Sequence, residues 1–345
     1  MTTPTGHAGP MRYRRLGRWG LDVSTVCLGT MMFGGPTPEA EARDIIAHAR
    51  DHGVNFIDTA DTYERGVSER ITGAAVASHR DHWIVATKVA NRVDPTLEHT
   101  GGLSRRWMLQ ACDASLSRLG LDHVDIYYLH YDDHATPLDE TIRAMGDLIR
   151  AGKVRYFGVS NFRGWRIAEV VHACERLGVP QPVVCQPYYN LLNRMPEVEI
   201  LPACDHHGLG VVPYSPIARG ILTGKYANNA LPEGSRAARN DKRMMETEFR
   251  EESFEIARRL GAHAEATGRT LVQLALAWLW ANRIVSSIIA GPRTLAQWKD
   301  YVGAVGTPWT GADETLVDSL VRPGHPSTPG YTDPRYPFFG RRRED

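Results

Sequence analysis

Apolar and polar residues along the chain form two alternating kinds of segment. Short apolar runs, which are typical of buried strands, are separated by longer amphipathic stretches, which are typical of helices. The apolar runs predict eight strands, which start near Val26, Asn55, Trp83, Val124, Tyr156, Val183, Gly210 and Val285. Because strands that alternate with helices form parallel sheets, this pattern predicts an α/β protein with a closed (β/α)8 barrel of the TIM type.

Turn and cap signals separate these segments. Residues 37–39 and 137–140 combine a proline with acidic residues, the chemistry of a helix start. Four glycines stand where helices should end, namely Gly53, Gly120, Gly152 and Gly178. Before the first strand, residues 11–23 place apolar positions between arginines and glycines. We expect this N-terminal stretch to form a short β-hairpin that plugs one end of the barrel.

Three segments are too long for simple connections in such a repeat. They are residues 90–102, residues 215–248 and the Pro/Gly-rich stretch 321–345. Connections of this length inside a compact domain are usually functional or disordered. We expect the first two to form long loops around a cofactor and substrate pocket. The last stretch contains Tyr331, Tyr336, Phe338 and Phe339 and ends in the basic run Arg341 to Arg343. It is expected to fold over the pocket or to reach another subunit.

Length and composition fit a single enzyme-sized domain. The 345 residues suit one barrel domain over residues 11–321, after a disordered tail at 1–10 and before a C-terminal tail at 322–345. With 42% hydrophobic and 23% charged residues, the composition is that of an ordinary globular protein. Lys+Arg and Asp+Glu both number 40, so charge gives no reason to expect binding to nucleic acid or to a membrane. A small neutral partner is expected instead.

Cysteine usage indicates a reducing compartment. The five cysteines are odd in number and form no C-x-x-C pair, so we interpret them as reduced core thiols of a cytoplasmic protein. The first ten residues lack the apolar segment of a secretory signal. No uninterrupted apolar run approaches the roughly 18 residues that a membrane helix needs. The oligomeric state is left open.

Four reactive side chains stand where three predicted strands end. The run at 54–63 passes from apolar residues to Asp58 and Tyr63, the next strand ends at Lys88, and the following one ends at His130. Since the carboxyl ends of parallel strands share one rim, these groups should meet. A phenol has a reference pKa of about 10. An ammonium nearby would lower the pKa of Tyr63, and an aspartate would hold the lysine in place. A neutral histidine could bind a carbonyl oxygen, so the site should protonate an oxygen as electrons arrive at its carbon.

Each of these residues alone has an ordinary structural explanation. Asp58 could be a turn residue, Tyr63 a half-buried aromatic and His130 a structural histidine, but four chemistries at three strand ends favour a site. Two histidine-bearing runs, at 130–134 and at 206–207, superficially suggest metal binding. Consecutive strand residues point in opposite directions and rarely share one ion, so no metal site is expected. Asp61 is interpreted as a loop residue and Glu69 as a support for that loop or for a cofactor.

The same four positions resemble the catalytic signature of the aldo-keto reductases. The similarity extends in order over most of the chain. It includes Leu28-Gly29-Thr30, Asp58-x-Ala60-x-x-Tyr63, Gly66-x-Ser68-Glu69, Lys88, His130, residues 158–162, residues 186–190, residues 214–226 and Gly291-x-Arg293-Thr294 with Gln297. The resemblance implies that Tyr63 is the proton donor in reduction, that Lys88 paired with Asp58 tunes it, and that His130 orients the carbonyl.

The resemblance also implies a nicotinamide cofactor and the residues that bind it. Ser160, Asn161 and Gln186 match the contacts to the carboxamide, and Tyr214 matches the aromatic residue that stacks on the nicotinamide ring. The pyrophosphate segment supplies Ser215, Pro216, Ile217, Ala218, Gly220 and Lys225. The adenosine end supplies Gly291, Arg293 and Gln297, and the remaining cofactor-binding candidates are Thr30, Met31, Asp58, Arg236 and Tyr301.

The adenosine end bears on the choice between NADPH and NADH. A guanidinium such as that of Arg293 suits a 2′-phosphate because its planar fork binds phosphate oxygens in pairs, which favours NADPH. Two residues depart from the family pattern, because Tyr301 replaces an asparagine and Asp300 is the shorter acid. Arg236 is equally compatible with cofactor binding and with a solvated loop. A solvated loop is favoured for Arg239, Lys242 and Arg243.

The function expected from this resemblance is NADPH-dependent reduction of an aldehyde or ketone to an alcohol. Two alternatives stay open: a Schiff-base aldolase acting through Lys88, and a nucleotide-binding regulatory subunit similar to potassium-channel β-subunits. The substrate could be an aromatic or bulky carbonyl compound, with Trp19, Trp107, Met31, Met32 and the tail aromatics around it. A sugar-like ketone is the other substrate class considered.

Overall fold

The eight predicted strands form a barrel in which helices lie between them. A computed structural model describes residues 10–94, 96–97, 99–226 and 231–337. The predicted (β/α)8 fold is confirmed, with its N-terminal hairpin, long loops and C-terminal tail. The prediction of a disordered start at 1–10 falls, except for Pro10, outside the described residues. Phe338, Phe339 and the basic run Arg341 to Arg343 also lie outside them.

Eight parallel strands form the barrel wall, and the first seven pair with one another in chain order. They are β3 Val26–Gly29, β4 Phe56–Asp58, β5 Ile84–Val89, β6 Val124–Leu129, β7 Val154–Ser160, β8 Val184–Gln186, β9 Gly210–Val211 and β10 Ile288–Ala290. β10 pairs with β3, and isolated parallel bridges from Val211 to Val285 and from Tyr214 to Ile289 join the two ends of the sheet. The last strand starts three residues later than predicted because Val285 forms only such a bridge.

Helices cover the outside of this wall. They are α1 Glu39–Asp51, α2 Val67–Val76, α3 Arg105–Leu119, α4 Leu138–Arg150, α5 Gly164–Leu177, α6 Ile200–His207, α7 Lys242–Thr247, α8 Glu251–Ala266, α9 Leu271–Ala281, α10 Leu295–Gly303 and α11 Gly311–Leu320. Short 3₁₀ helices span Tyr63–Gly66, Ala77–His82, Met195–Glu197 and Ala218–Thr223.

The helix ends follow the glycine signals, whereas the helix starts differ in detail. Gly53, Gly120, Gly152 and Gly178 all have positive φ at or just beyond helix ends, as a C-terminal cap requires. Thr37 does not cap α1, because its Oγ1 donates to the carbonyl of Arg293 at 2.9 Å. Pro38 and Pro137 themselves hold the cap positions of α1 and α4, without a side-chain hydrogen bond.

Successive strand residues point alternately into the barrel and towards the helices. The inward positions form one buried apolar cluster, which includes Cys27, Phe56, Ile84, Ala86, Ile126, Tyr128, Val184 and Val212. The outward positions, such as Leu28, Ile57, Val85 and Tyr127, belong to a second, larger cluster packed against the helices. This alternation fixes which side chains face the interior at each strand end.

The N-terminal hairpin closes the barrel at the amino ends of its strands. β1 (Tyr13–Arg15) pairs antiparallel with β2 (Asp22–Ser24), and fully buried Leu16 and Val23 join the inner cluster. Gly17 has a φ of +63°, and a side chain there would clash with the carbonyl of Gly208. The backbone N–H of Arg18 donates to that carbonyl at 3.1 Å. The hairpin therefore plugs this end, as the sequence predicts.

The C-terminal tail returns to the opposite end of the barrel. The N–H of Ser327 donates to the carbonyl of Leu192 at 2.8 Å, and the N–H of Arg194 donates to that of His325 at 3.0 Å. Residues 322–337 thus pack against the connection that follows β8 and continue over the barrel mouth. All five cysteines are buried and free of disulfides. No helix in the described parts of the chain is long and apolar enough to cross a membrane.

Candidate active site

Strand register brings three of the four predicted catalytic side chains to the same end of the barrel interior. Asp58 pairs with Ala86 of the next strand, and Lys88, two residues further on, pairs with Tyr128. Because Ala86 and Tyr128 face inwards, residues two positions beyond them continue the same inward rows. The side chains of Asp58, Lys88 and His130 therefore follow the apolar side chains of the barrel interior, at the carboxyl ends of the strands.

Lys88 lies at the centre of this group and is fully buried. Its Nζ forms a short charge-assisted hydrogen bond with Asp58 Oδ1 and donates to the carbonyl of Thr59 at 2.7 Å and to Tyr63 Oη at 3.3 Å. Gln186 Nε2 donates to the other carboxylate oxygen of Asp58 at 3.0 Å. Burial alone would lower the pKa of Lys88, but the Asp58 carboxylate and the Tyr63 hydroxyl outweigh it, so the pKa is raised. Lys88 is thus a fixed ammonium.

Tyr63 stands at the first position of a 3₁₀ turn and is partly exposed. The two residues after it, Glu64 and Arg65, have left-handed φ values of 45° and 54°. The Lys88 ammonium lies 4.8 Å from the centre of the phenol ring. Burial raises the pKa of Tyr63 above its usual value, although Lys88 acts in the opposite direction. The sequence anticipated the contribution of the ammonium but not the larger contribution of burial.

His130 completes the group through its ring and its backbone. Its ring centre lies 6.1 Å from that of Tyr63, in an edge-on arrangement. Burial lowers its pKa well below the usual value, and the charges of Lys88 and Arg335 lower it further. Nδ1 lies 2.8 Å from Asn91 Nδ2. Sequence reasoning placed residue 91 in a pocket wall but missed this contact, which its position three residues beyond Lys88 at a strand end could have suggested.

The predicted carboxamide-binding residues form a connected network behind the four catalytic candidates. Ser160 Oγ donates to the carbonyl of Gln186 at 2.8 Å, and Asn161 Nδ2 donates to the carbonyl of His130 at 2.9 Å. Tyr214 Oη donates to Asn161 Oδ1 at 2.8 Å, and its ring stacks on Tyr188 at 5.6 Å between centres. These contacts link β7, β8 and the connection after β9 to the histidine, so the predicted nicotinamide contacts and the catalytic candidates share one network.

Cations from the connection after β9 and Arg293, which follows β10, form a cluster whose members repel one another. Burial lowers the pKa of Lys225, and the charges of Arg293, Arg236 and Arg239 lower it further. Arg236 binds Asp241 at 2.8 Å, and Arg293 binds the carbonyl of Gly234. Several cations that face one another are a donor set suited to phosphate groups.

The other predicted cofactor residues lie in differing surroundings. Thr30 is buried, and its Oγ1 donates to the carbonyl of Asp58 at 3.1 Å, whereas Met31 is 37% exposed. Gly291 has open space around it. Gln297 Oε1 accepts the backbone N–H of Arg293 at 2.9 Å. Tyr301 is buried on α10. The pyrophosphate segment carries left-handed φ values at Ser215 (56°) and Ala218 (48°) and includes Pro216, Ile217 and Gly220.

A cleft of about 640 Å³, part of it open to solvent, adjoins these residues. One wall consists of the tail residues Tyr331, Asp333 and Tyr336, and Asn161 and Tyr188 lie on the side of the catalytic candidates. Trp19 cannot line this pocket as predicted, because it packs with the hairpin at the opposite end. Trp107 packs instead against the helix layer.

Arg243 is not a solvated loop residue, so that interpretation is wrong. Its guanidinium binds both carboxylate oxygens of Asp333 at 2.6 and 3.0 Å and thereby pins the tail to α7. The acids between His130 and His134 are engaged within the protein. Asp132 binds Arg166 at 3.0 Å, and Asp133 accepts the backbone N–H of Leu103 at 2.8 Å.

Asp61, in the loop after β4, and Glu69, on α2, are both buried. Glu69 accepts from Thr87 Oγ1 at 2.6 Å and from Arg118 Nε at 2.5 Å, so it links α2 to β5 and α3. The Asp61 carboxylate finds no hydrogen-bond partner within the described residues. Burial raises its pKa well above the usual value, and the neighbouring Glu69 adds to the shift. Asp61 is therefore a loop residue, as predicted, but one that is buried and whose pKa is raised.

Comparison with known proteins agrees with this geometry. The model of the Aldo/keto reductase family matches residues 25–322. A probable voltage-gated potassium channel subunit beta of Arabidopsis thaliana is 38% identical over 302 residues, which cover 86% of this chain and 91% of that protein. An uncharacterised oxidoreductase of Bacillus subtilis (strain 168) is 38% identical over 306 residues, with the same coverage of 86% and 91%.

A third relative carries a named activity. The L-glyceraldehyde 3-phosphate reductase of Escherichia coli O157:H7 is 32% identical over 328 residues, which cover 92% of this chain and 94% of that protein. The family match spans most of the chain, and the relatives with oxidoreductase names support an oxidoreductase. This chain belongs to the aldo/keto reductase family.

Proposed function

We propose that the protein is an NADPH-dependent reductase that converts an aldehyde or ketone to an alcohol. One observation carries the proposal: the Lys88 ammonium is buried between Asp58, the Thr59 carbonyl and the Tyr63 hydroxyl, with the His130 ring beside the phenol. This arrangement offers a proton and a second hydrogen bond to one carbonyl oxygen. A bound NADPH would supply the hydride for the carbonyl carbon.

Tyr63 acts as the general acid in this proposal. Because burial raises its pKa, the phenol keeps its proton at neutral pH and has one to give. Lys88 stabilises the phenolate left after proton transfer, through the hydrogen bond from Nζ to Oη. Asp58 and the Thr59 carbonyl hold the ammonium in place and keep it charged.

His130 orients the carbonyl in its neutral form. Burial and two nearby cations lower its pKa, so the ring stays neutral at physiological pH. With Nδ1 facing Asn91, the opposite nitrogen is left to donate to the carbonyl oxygen. A neutral donor polarises the carbonyl without competing with Tyr63 as the proton source.

The residues that would hold the cofactor fit a dinucleotide phosphate. Ser160, Asn161 and Gln186 lie next to the catalytic candidates, where the carboxamide would bind. Lys225, Arg236 and Arg293 would bind its phosphate groups, and Arg293 in particular suits the 2′-phosphate of NADPH. Gly291 leaves open space, and Gln297 supports the backbone of Arg293.

The test replaces the proposed acid alone. Tyr63→Phe removes the hydroxyl and retains the ring, so NADPH binding, measured by fluorescence titration, should stay within about 2-fold while turnover is lost by at least about 100-fold. The substrate panel, followed by NADPH consumption, should contain aromatic aldehydes, bulky ketones, sugar-like ketones and glyceraldehyde 3-phosphate. Substantial reductase activity of Tyr63→Phe would refute the assigned role.

A second candidate function is that of a nucleotide-binding regulatory subunit. It is supported by the 38% identity to the Arabidopsis protein, whose name is that of a probable potassium-channel β-subunit. A regulatory subunit would bind NADPH tightly, turn over very slowly and form a stable complex with a channel. Fast turnover of the panel, together with a monodisperse protein that captures no channel segment, would exclude it.

The Schiff-base aldolase alternative is disfavoured by the state of Lys88. An amine must lose its proton before it attacks a carbonyl carbon. The ion pair with Asp58 and the raised pKa keep the ammonium protonated. Borohydride treatment in the presence of an aldehyde should therefore leave Lys88 unmodified.

A further inference from the structure

The C-terminal tail is connected to His130 through a single asparagine. Arg335 Nη2 donates to Asn91 Oδ1 at 2.6 Å, and Asn91 Nδ2 lies 2.8 Å from His130 Nδ1. A guanidinium has only donors, so its partner in the amide must be the oxygen. The amide nitrogen then faces the imidazole, and Nδ1 must accept the hydrogen bond. The neutral ring accordingly carries its proton on Nε2.

The tail segment around Arg335 is held from several sides. Its own backbone N–H donates to Asp333 Oδ1 at 2.9 Å, and Asp333 is bound by Arg243. Arg163 Nη2 donates to the carbonyl of Tyr336 at 2.9 Å. Further back along the tail, the Arg250 guanidinium lies 3.9 Å from the centre of the Tyr331 ring. The position of the Arg335 guanidinium is therefore set by the docking of the tail.

Charge acts in the same direction as hydrogen bonding. In the described part of the chain, Tyr63 and Lys88 face His130 from the barrel, and Arg335 faces it from the tail. Arg335 contributes to the lowered pKa of the histidine, after burial and Lys88. Loss of the guanidinium would release the amide to rotate and would remove one of the charges that keep the ring neutral.

We infer that Arg335 is a positioning residue that fixes, through Asn91, the Nε2-protonated neutral form of His130. The role of this form in orienting a carbonyl rests on the proposed reductase function. The same tail segment supplies Tyr331, Asp333 and Tyr336 to the cleft wall. Docking of the tail thus has two consequences: it completes the cleft wall, and it sets the hydrogen-bonding state of His130.

The test compares two arginines of the tail in the full-length protein. Arg335→Met removes the donor and its charge, whereas Arg322→Met makes the same change at an exposed arginine whose side chain has no hydrogen bond among the described residues. Nitrogen-15 spectra of labelled histidine report ring protonation, and His130→Gln identifies the signals of His130. The wild type and Arg322→Met should show protonated Nε2 and unprotonated Nδ1.

Arg335→Met should change both the spectrum and the kinetics. The spectrum should show a mixture of the two tautomers, and the titration of His130 should move to higher pH. The value of kcat should fall by about 10-fold, less than the roughly 100-fold or more expected for a proton-transfer group, with KM for NADPH unchanged. Identical tautomers and titrations in Arg335→Met and Arg322→Met would overturn the inference.

Two further variants separate charge from geometry. Arg335→Lys keeps the charge, so its His130 titration should move less than that of Arg335→Met. Asn91→Asp replaces the amide donor by a carboxylate that can only accept a hydrogen bond from a protonated Nδ1, so it should convert His130 to the opposite tautomer. If the wild type reduces no carbonyl compound, the proposed function fails, whereas the ring-nitrogen spectra of the same samples still decide the positioning role.

Discussion

The two ends of the barrel interior differ in chemistry, because one is apolar and the other carries charged and polar side chains. At the amino end, the hairpin inserts Leu16 and Val23 into the apolar interior, and both side chains are fully buried. At the carboxyl end, the interior row continues with a carboxylate, an ammonium and an imidazole. The barrel strands supply the polar end through their own last inward positions, whereas the apolar end is filled by a separate hairpin.

Backbone strain also distinguishes the two ends of the barrel. Among the described residues, the non-glycine residues with positive φ are Glu64, Arg65, Ala90, Asn161, Ser215, Ala218, Arg219 and Asn240. All of them lie in connections that leave the carboxyl ends of strands. Strained conformations persist where the surrounding structure holds them, and they concentrate at functional sites. The apolar end contributes stability, whereas the polar end holds the backbone strain and the buried charges of the candidate site.

The largest expected effect on the polar end is that of Lys88→Met. The variant leaves Asp58 buried without its ammonium, which should lower the free energy of unfolding by about 3–5 kcal/mol. It also removes the group that stabilises the Tyr63 phenolate, so turnover should fall by about 1,000-fold. Urea denaturation and NADPH consumption measure the two effects separately.

The double variant Lys88→Met/Asp58→Asn is the control for that experiment. It removes the unpaired charge, so most of the lost stability should return while activity stays absent. A double variant as unstable as the single one would contradict the view that a buried, unpaired carboxylate is the cause.

Leu16→Ala tests the opposite end and should separate stability from activity. Truncation of a fully buried leucine typically costs about 2–5 kcal/mol of unfolding free energy. Well below the midpoint of unfolding, kcat should be unchanged, because the hairpin lies at the end of the barrel away from the catalytic candidates. Val198→Ala, at a residue that is 67% exposed, should change stability by less than about 0.5 kcal/mol. A large loss of kcat in Leu16→Ala would show that the two ends are coupled.

The same contrast explains how much the sequence alone could predict. The strand pattern predicted the barrel because strands that are buried on both faces leave short apolar runs at intervals along the chain, and turn glycines between apolar positions predicted the hairpin. It also predicted that Asp58, Lys88 and His130 meet, because three strand endings share one rim. The helix start near residue 38 was predicted, but the capping role of Thr37 was not correct, since its hydroxyl donates to the distant carbonyl of Arg293.

Contacts made by irregular segments could not be predicted in this way. Arg243 pairs with Asp333, which lies 90 residues further along the chain, and Arg335 pairs with Asn91, which lies 244 residues before it. No periodic signal in the sequence marks either partner. The net pKa of Tyr63 was missed for a related reason. The direction of the pKa shift depends on the balance between burial and the charge of Lys88, and the depth of burial is set by the folded loops.

A smaller effect is expected from Arg293→Met, at the edge of the polar end. A hydrogen bond to a charged group contributes about 1.5–3 kcal/mol, so loss of the guanidinium should weaken NADPH binding by about 10- to 100-fold. Binding of NADH, which lacks the 2′-phosphate, should change by less than about 3-fold on the same argument. Lys242→Met, at an α7 residue whose side chain is 86% exposed, is the control. Equal losses for both nucleotides would contradict a 2′-phosphate contact.

The smallest effect concerns pH, and it follows from the two pKa shifts at the polar end. The pKa of Tyr63 is raised above 10.0 by burial, and that of His130 is lowered well below 6.5, chiefly by burial. Reduction requires that the phenol of Tyr63 is protonated and that the imidazole of His130 is neutral. Both conditions hold at pH values between the lowered pKa of His130 and the raised pKa of Tyr63. In that interval kcat/KM for reduction should be nearly flat, since it reports groups of the free enzyme. Alcohol oxidation requires the phenolate, whose fraction rises about 10-fold per pH unit below the pKa, so its kcat/KM should rise in proportion. A reduction rate that declines steadily from pH 7 would mean that Lys88, rather than burial, sets the state of the phenol.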